Sequence, residues 1–242
     1  MKAKRIFLAA LLTAALSVSS AAPAVLAESP AAPEVTTITV FRTNLGEEDY
    51  MGLQSADGET LLPPAFASIE VVGKFAIVYS DETDSFYLYD WQKRAFTAEY
   101  PMMFSNGAYI TIAESWEDGN YGLLDQSGAV VTEMQWLWMG DVADDVVWVA
   151  ADEDTMRVNL LHIPSGKMLL DEWADYCTEF SGGYSGFVRD GHVWFVDTEG
   201  HVQETDFVRV EQYTAEDGWF DVETADGTKG KYQPEKNEFT EK

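Results

Sequence analysis

Tyr121-Gly122-Leu123-Leu124-Asp125-Gln126-Ser127-Gly128-Ala129-Val130-Val131 is a short apolar strand, a polar turn ending in glycine, and a second apolar strand. Such a stretch is a β-hairpin, because glycine supplies the positive φ of the turn without steric cost. The same plan stands at Met51-Gly52-Leu53-Gln54-Ser55-Ala56-Asp57-Gly58-Glu59-Thr60-Leu61, and again at Val193-Trp194-Phe195-Val196-Asp197-Thr198-Glu199-Gly200-His201-Val202. Two looser copies lie between them. Asn159-Leu160-Leu161-His162-Ile163-Pro164-Ser165-Gly166 has one extra residue, and Tyr87-Leu88-Tyr89-Asp90-Trp91-Gln92-Lys93 has no glycine. A partial copy closes the chain at Lys231-Tyr232-Gln233-Pro234-Glu235-Lys236-Asn237. The copies begin at residues 52, 87, 122, 159, 194 and 231, a spacing of about 36 residues, which marks a repeat architecture.

A second element runs between the hairpins. Each time, an aromatic or β-branched strand enters an acidic turn. Phe75 to Tyr79 leads to Asp81, Glu82 and Asp84; Tyr109 to Ile112 leads to Glu114, Glu117 and Asp118; Val146 to Val149 leads to Asp152, Glu153 and Asp154. Tyr184 to Val188 leads to Asp190-Gly191, and Trp219 to Val222 leads to Glu223, Asp226 and Gly227. Ile38 to Phe41 leads to Glu47, Glu48 and Asp49 in the same way. On this reading the chain opens with the second half of a unit and closes with the first half of one, so that the two halves would complete one shared sheet. No segment carries a sustained apolar period of 3.6 residues with capping signals. The expected fold is all-β: a repeat of about six units, β-propeller-like, with an open β-hairpin solenoid as the alternative.

The ends add an export signal. Lys2, Lys4 and Arg5 precede an apolar stretch from Ile6 to Leu16, and Val25-Leu26-Ala27 ends in the small residue a signal peptidase prefers. The stretch is too short to span a bilayer comfortably. Residues 1–27 are therefore expected to be a bacterial-type signal peptide, 28–36 a flexible leader, and 37–242 a single β-repeat domain with no membrane span. The chain carries 42 acidic against 15 basic residues, a net charge of −27. Loss of the signal would make it more negative still. Such a polyanion repels nucleic acid and anionic membranes and attracts cations and basic partners. Cys177 is the only cysteine, so no disulfide forms within the chain and the core alone must hold it together. We expect Cys177 to be a small buried residue and the protein to be a secreted monomer.

The two best hairpins resemble the WG repeat of bacterial β-repeat proteins, which has an aromatic-Gly pair, an apolar strand, a polar residue, a turn glycine, a second apolar strand, then proline and an aromatic. Tyr121-Gly122-Leu123-Leu124-Asp125 with Gly128 is similar to its front half; Gly52-Leu53, Asp57-Gly58 and Leu61-Leu62-Pro63-Pro64-Ala65-Phe66 follow nearly all of it. Tyr121 and Met51 stand where the family has tryptophan. The resemblance implies a β-repeat scaffold that serves as a binding or interaction module, and it transfers no catalytic residue.

Motifs of catalysis are missing. His162, His192 and His201 lack the close spacing of zinc ligands. There is no Gly-x-Ser-x-Gly elbow and no phosphate-binding glycine loop with its lysine. A carboxylate pair at glycosidase spacing would arise by chance among so many acids, so a glycosidase-like enzyme is the least favoured reading. No cofactor is expected beyond weak calcium, with Asp141, Asp144, Asp145, Asp152 and Asp154 as the candidate oxygen ligands. Trp136, Trp138 and Trp148 alternate with apolar residues, so most of them are assigned to the core. Trp91 and Trp116 lie in polar turns and are assigned to partner binding with Asp118 and Glu153. The expected function is that of a secreted non-catalytic interaction module, binding a basic partner or divalent cations through acidic turns. The alternative is a polysaccharide or cell-wall binding protein that uses exposed tryptophan.

Overall fold

A computed structural model describes residues 37–44, 49–115, 119–212 and 218–242. The expected signal peptide and leader, residues 1–27 and 28–36, lie outside them. Two compact units divide the chain, the first ending at Glu99 and the second running from Tyr100 to Lys242.

In the first unit, β1 (Ile38–Asn44), β2 (Asp49–Ser55) and β3 (Thr60–Phe66) form a three-stranded sheet. Next come β4 (Ser68–Val72), β5 (Phe75–Ser80), β6 (Ser85–Asp90) and β7 (Ala95–Tyr100), a four-stranded sheet whose last strand runs to the unit boundary. The second unit holds four sheets of four strands. They are β8 (Met102–Asn106), β9 (Tyr109–Ala113), β10 (Tyr121–Asp125) and β11 (Val130–Trp136); then β12 (Trp138–Met139), β13 (Val146–Ala150), β14 (Val158–His162) and β15 (Lys167–Met168). The last two are β16 (Tyr176–Cys177), β17 (Tyr184–Arg189), β18 (His192–Asp197) and β19 (Val202–Glu204); then β20 (Phe207–Gln212), β21 (Phe220–Thr224), β22 (Lys229–Gln233) and β23 (Glu238–Glu241). Every sheet is a meander in which strands lie side by side in chain order. No α-helix occurs among the described residues; Ile163–Ser165 and Pro234–Lys236 are single 3₁₀ turns. The fold is thus an all-β, propeller-like repeat of six blade-type sheets.

Each sequence hairpin is the third and fourth strand of its sheet, and the strand leading into an acidic turn is the second. The first sheet lacks one strand, so there β1 and β2 take the places of second and third. The expectation of two half-units is corrected at the C-terminus. The segment at 231–237 is not an unfinished unit: β20–β23 make a complete sheet, with Tyr232 opposite Phe239, while Val40 lies opposite Leu53 in its own sheet.

Second and third strands are the buried ones. β9 and β13 are buried at every residue, as expected of strands covered on both faces, whose sequences run continuously apolar. Outer strands alternate or lie open, as in β7 and β23. In the second unit the core is a series of layers between consecutive sheets. Tyr109 and Leu123 meet Val147, Val149 and Leu161; Trp148 and Leu160 meet Phe187 and Val196. Phe195 meets Phe220, Val222 and Tyr232, with the Phe195 and Phe220 rings edge to face at 5.0 Å. In the first unit Leu53 and Leu62 meet Ala76, Val78, Tyr87 and Tyr89.

Two local devices recur. The first is the glycine of the aromatic-Gly pair. Tyr121 pairs with Trp136 and Leu123 with Thr132, so Glu133-Met134-Gln135 bulges opposite Gly122. The bulge brings backbone against backbone: a Cβ on Gly122 would sit 2.6 Å from the Thr132 carbonyl oxygen and 2.9 Å from the Met134 nitrogen. Gly52 faces Pro63-Pro64-Ala65 in the same way, 2.6 Å from the Leu62 carbonyl oxygen. Proline is tolerated there because a bulge leaves ladder N–H groups unused. The second device is the turn after the third strand. The Asp125 carboxylate accepts from the Ser127 amide at 2.7 Å, the Ser127 hydroxyl at 2.6 Å and the Ala129 amide at 3.0 Å. Asp197 does the same for the Glu199 and His201 amides. His162 takes the place of Asp125 and Asp197 in its turn, with Nδ1 2.7 Å from the Ser165 hydroxyl. Where the turn has lost its glycine, Arg94 adopts the left-handed φ of 55°.

Replacement of Gly122 by Ala is expected to cost about 1–3 kcal/mol, read as a lower urea midpoint with unchanged slope, because neither contacting atom is a movable side chain. The hydrogen bonds from Ser127 hold the Asp125 carboxyl below its usual range. Its stabilisation is therefore fully present at neutral pH and is lost as pH falls through the lowered value. Asp125→Ala is expected to cost about 1 kcal/mol at pH 7. The gap from the parent should narrow as urea titrations are carried to pH values below the ordinary aspartate range.

Candidate functional site

The acidic turns occupy one position in the meander: they join second to third strands, at the end of each sheet opposite the glycine turns. Between β5 and β6, Asp81, Glu82 and Asp84 are exposed, and Asp84, at φ 52°, accepts from the Tyr79 hydroxyl at 2.8 Å. Between β13 and β14, Asp152, Glu153 and Asp154 are exposed. The β17–β18 joint is the two-residue turn Asp190-Gly191, both at positive φ, which suits the twist of a tight hairpin. Between β21 and β22, Asp226 accepts from the Thr224 hydroxyl at 2.5 Å.

The partner residues read from the sequence fall differently. Trp91 is a correction: it is 6% exposed and packs in the core of the first unit. Its turn is drawn inward by Asp90, also buried, which accepts from the Lys93 amide at 3.0 Å and pairs with the Lys93 ammonium at 2.9 Å. A buried indole offers no face to a sugar. Trp116 and Asp118 lie outside the described residues. Glu153 is exposed in its turn, as read.

The calcium candidates form two sets at opposite ends of one sheet. Asp141, Asp144 and Asp145 lie in the β12–β13 joint, and Asp152 and Asp154 in the β13–β14 joint. Asp145 accepts from the Tyr109 hydroxyl at 2.7 Å, and Asp152 from the Asp154 amide at 2.9 Å. Among the described residues no three His, Cys, Asp or Glu side chains are placed to hold one ion.

One feature that sequence reasoning missed is a groove of about 500 Å³ beside the first strands of two consecutive sheets, β12 and β16. Trp136 and Trp148 are buried, so most of the three lie in the core as expected, and Trp138 is the exception at 37% exposed. Tyr176, 48% exposed, also lines the groove, and its phenol interacts electrostatically with Glu211 and Arg209 of the following sheet. Register explains the match. Met139 opposite Val149 and Cys177 opposite Phe187 point inward, so the preceding residues, Trp138 and Tyr176, point out at equivalent places. Two residues after each inward residue comes a carboxylate, Asp141 and Glu179, and both line the groove. Trp-x-x-Asp at 138–141 and Tyr-x-x-Glu at 176–179 are thus one motif in two successive repeats. That spacing was visible in the sequence; what hid it was that Trp138 sits among apolar neighbours.

The frame of the groove is held by hydrogen bonds. Trp148, 2% exposed, donates its indole N–H to the Ser185 hydroxyl at 3.0 Å, and Ser185 donates to the Thr178 carbonyl at 2.7 Å. The Thr178 hydroxyl donates to the Glu179 carbonyl at 3.0 Å and accepts from the Gly186 amide at 3.0 Å. Opposite, the Gly140 amide donates to the Trp148 carbonyl at 2.9 Å, and its carbonyl accepts from Asn106 at 3.1 Å. A Cβ on Gly140 would lie 3.1 Å from the Trp138 indole, so glycine lets the ring fold back over the strand. Burial pushes the Cys177 thiol up to about 12, which removes it as a nucleophile at neutral pH. Burial, with Cys177 and Glu211 nearby, also raises the Tyr176 phenol. No Lys, Arg or His lines the groove. A smaller cavity of about 230 Å³ on the last sheet holds charges of both signs that pair among themselves, Arg209 with Glu211, Lys229 with Glu223 and Lys242 with Asp221.

No family model matches the chain, and no curated protein does. Among solved structures, the chain is similar to Kluyveromyces lactis Hsv2 with loop 6CD replaced by a Gly-Ser linker, at 10% identity and a TM-score of 0.41, over 77% of this chain and 71% of that one. It is similar to K. lactis Hsv2p at 10% identity and a TM-score of 0.40, over 79% and 70%. The computationally designed Ika8 protein follows at 12% identity and 0.39, over 83% and 70%. Likeness at this level carries no argument about activity or partners.

Proposed function

We propose that the protein is an exported, non-catalytic interaction module that takes a basic partner through its acidic turns. The observation that supports this reading is the repeated placement of exposed carboxylates at the joint between second and third strands, sheet after sheet, in a chain of net charge −27. Charges set once per repeat on a common type of joint add their fields, which raises association rates with cationic partners more than it raises contact energy. The resemblance to the WG repeat agrees with a scaffold that presents surfaces rather than chemistry. Polysaccharide binding through turn tryptophans loses half its basis with Trp91 buried.

Retention on immobilised polylysine tests the reading. The protein should bind at about 0.05 M salt and elute fully by about 0.5 M, where the Debye length falls below roughly 5 Å. Neutralising exposed turn acids in the triple variant Glu82→Gln, Glu153→Gln, Asp154→Asn should bring elution to lower salt. Equal retention at both salt concentrations would remove the acidic turns as the binding surface. Export has its own readout: mass spectrometry of the secreted protein should find an N-terminus at Glu28, following cleavage after Ala27.

A further inference from the structure

We propose that the groove between β12 and β16 is a receptor for a lysine or arginine side chain of a peptide partner. This rests on the reading of the protein as a module for basic partners, and it gives that partner a specific point of entry.

The chemistry of the lining selects the ligand. Trp138 presents a partly exposed ring at the groove, and a ring face attracts a cation through its quadrupole. Asp141 and Glu179 stand three residues after Trp138 and Tyr176, just past each strand, and, when ionised, only accept hydrogen bonds. Two of the remaining polar groups are engaged within the protein: the Trp148 N–H serves Ser185, and the Thr178 hydroxyl serves the Glu179 carbonyl. The groove therefore asks for N–H donors on a positively charged, partly apolar group. An ammonium or guanidinium on its methylene stem has that form. A neutral sugar would leave the two carboxylate charges uncompensated, whereas a cationic side chain offsets them. A metal ion would need more oxygen ligands than two acids offer, and a groove of about 500 Å³ is far larger than one ion. That volume admits a side chain together with its flanking peptide. The frame is preorganised by the Trp148–Ser185–Thr178 hydrogen-bond chain, so binding orders the ligand more than the site.

The motif occurs where two successive sheets both carry it. At the equivalent positions of the preceding sheet stand Met102 and Ser105, and in the β4–β7 sheet Ser68 and Val71. The repeat thus supplies the geometry generally, and these two sheets alone supply aromatic and acid together, among the described residues.

The test is calorimetric titration of the exported chain at about 0.15 M salt with an acetylated, amidated Gly-Arg-Gly-Arg-Gly peptide and with its citrulline counterpart, which keeps the shape and loses the charge. One peptide should bind per chain, and citrulline should weaken binding at least about tenfold. Trp138→Ala and the double variant Asp141→Asn, Glu179→Gln should each weaken it about tenfold or more, and Trp138→Phe should recover part of the loss. Trp138 contributes an exposed ring, so an unchanged urea midpoint will show that these variants fold. The triple turn variant described above should stay within about twofold of the parent at this salt, since exposed distant charges are screened. Unchanged affinity in the groove variants, equal binding of citrulline, or competition by a neutral chito-oligosaccharide would each overturn the assignment. If the groove variants bind unchanged while polylysine retention remains salt-sensitive, only the groove falls; if polylysine retention is also lost in the parent, the basic-partner reading falls with it.

Discussion

A four-stranded meander of this composition has two apolar faces and no interior of its own. The layers between consecutive sheets are what the rest of the structure depends on: Leu123 against Val147, Trp148 against Phe187, Phe195 against Phe220. Each buried aromatic or aliphatic side chain contributes about 1.5–3 kcal/mol, and only the next sheet can supply the contact. Stability is therefore distributed along the repeat, with no disulfide to gather it.

The same constraint decides which residues are free to do something else. Second and third strands are committed to the layers, which is why β9 and β13 show no exposed position. Turns and first strands remain. The turns after third strands are occupied by their own hydrogen bonds, with Asp125, Asp197 or His162 closing the backbone. The turns after second strands carry the exposed acids. First strands pair on one side only, and β12 and β16 are two residues long, which leaves room beside them for the groove.

Polar residues at buried positions serve placement more than chemistry. Ser185 is fully buried, yet it joins Trp148 to the Thr178 carbonyl and so ties one sheet to the next. Asn106 reaches both Gly140 and Val142 across another pair of sheets. Such bonds fix the spacing of consecutive sheets better than apolar layers alone, because a displaced sheet would leave buried donors unsatisfied.

The repeat, its period, the strand pairs and the position of the acidic turns were legible in the chain, because hairpin turns need particular residues at particular steps: Gly128 and Gly200 after Asp125 and Asp197, and Asp190-Gly191 between β17 and β18. Gly52 and Gly122 were legible as a motif, though the bulging strand that forbids a side chain there was not. Exposure was another matter. Trp91 lies in a polar turn and Trp138 in an apolar run, and the structure buries the first and exposes the second. Local sequence determines how a strand turns; which side chain is covered depends on whether a neighbouring sheet reaches it. That distance belongs to the tertiary structure alone.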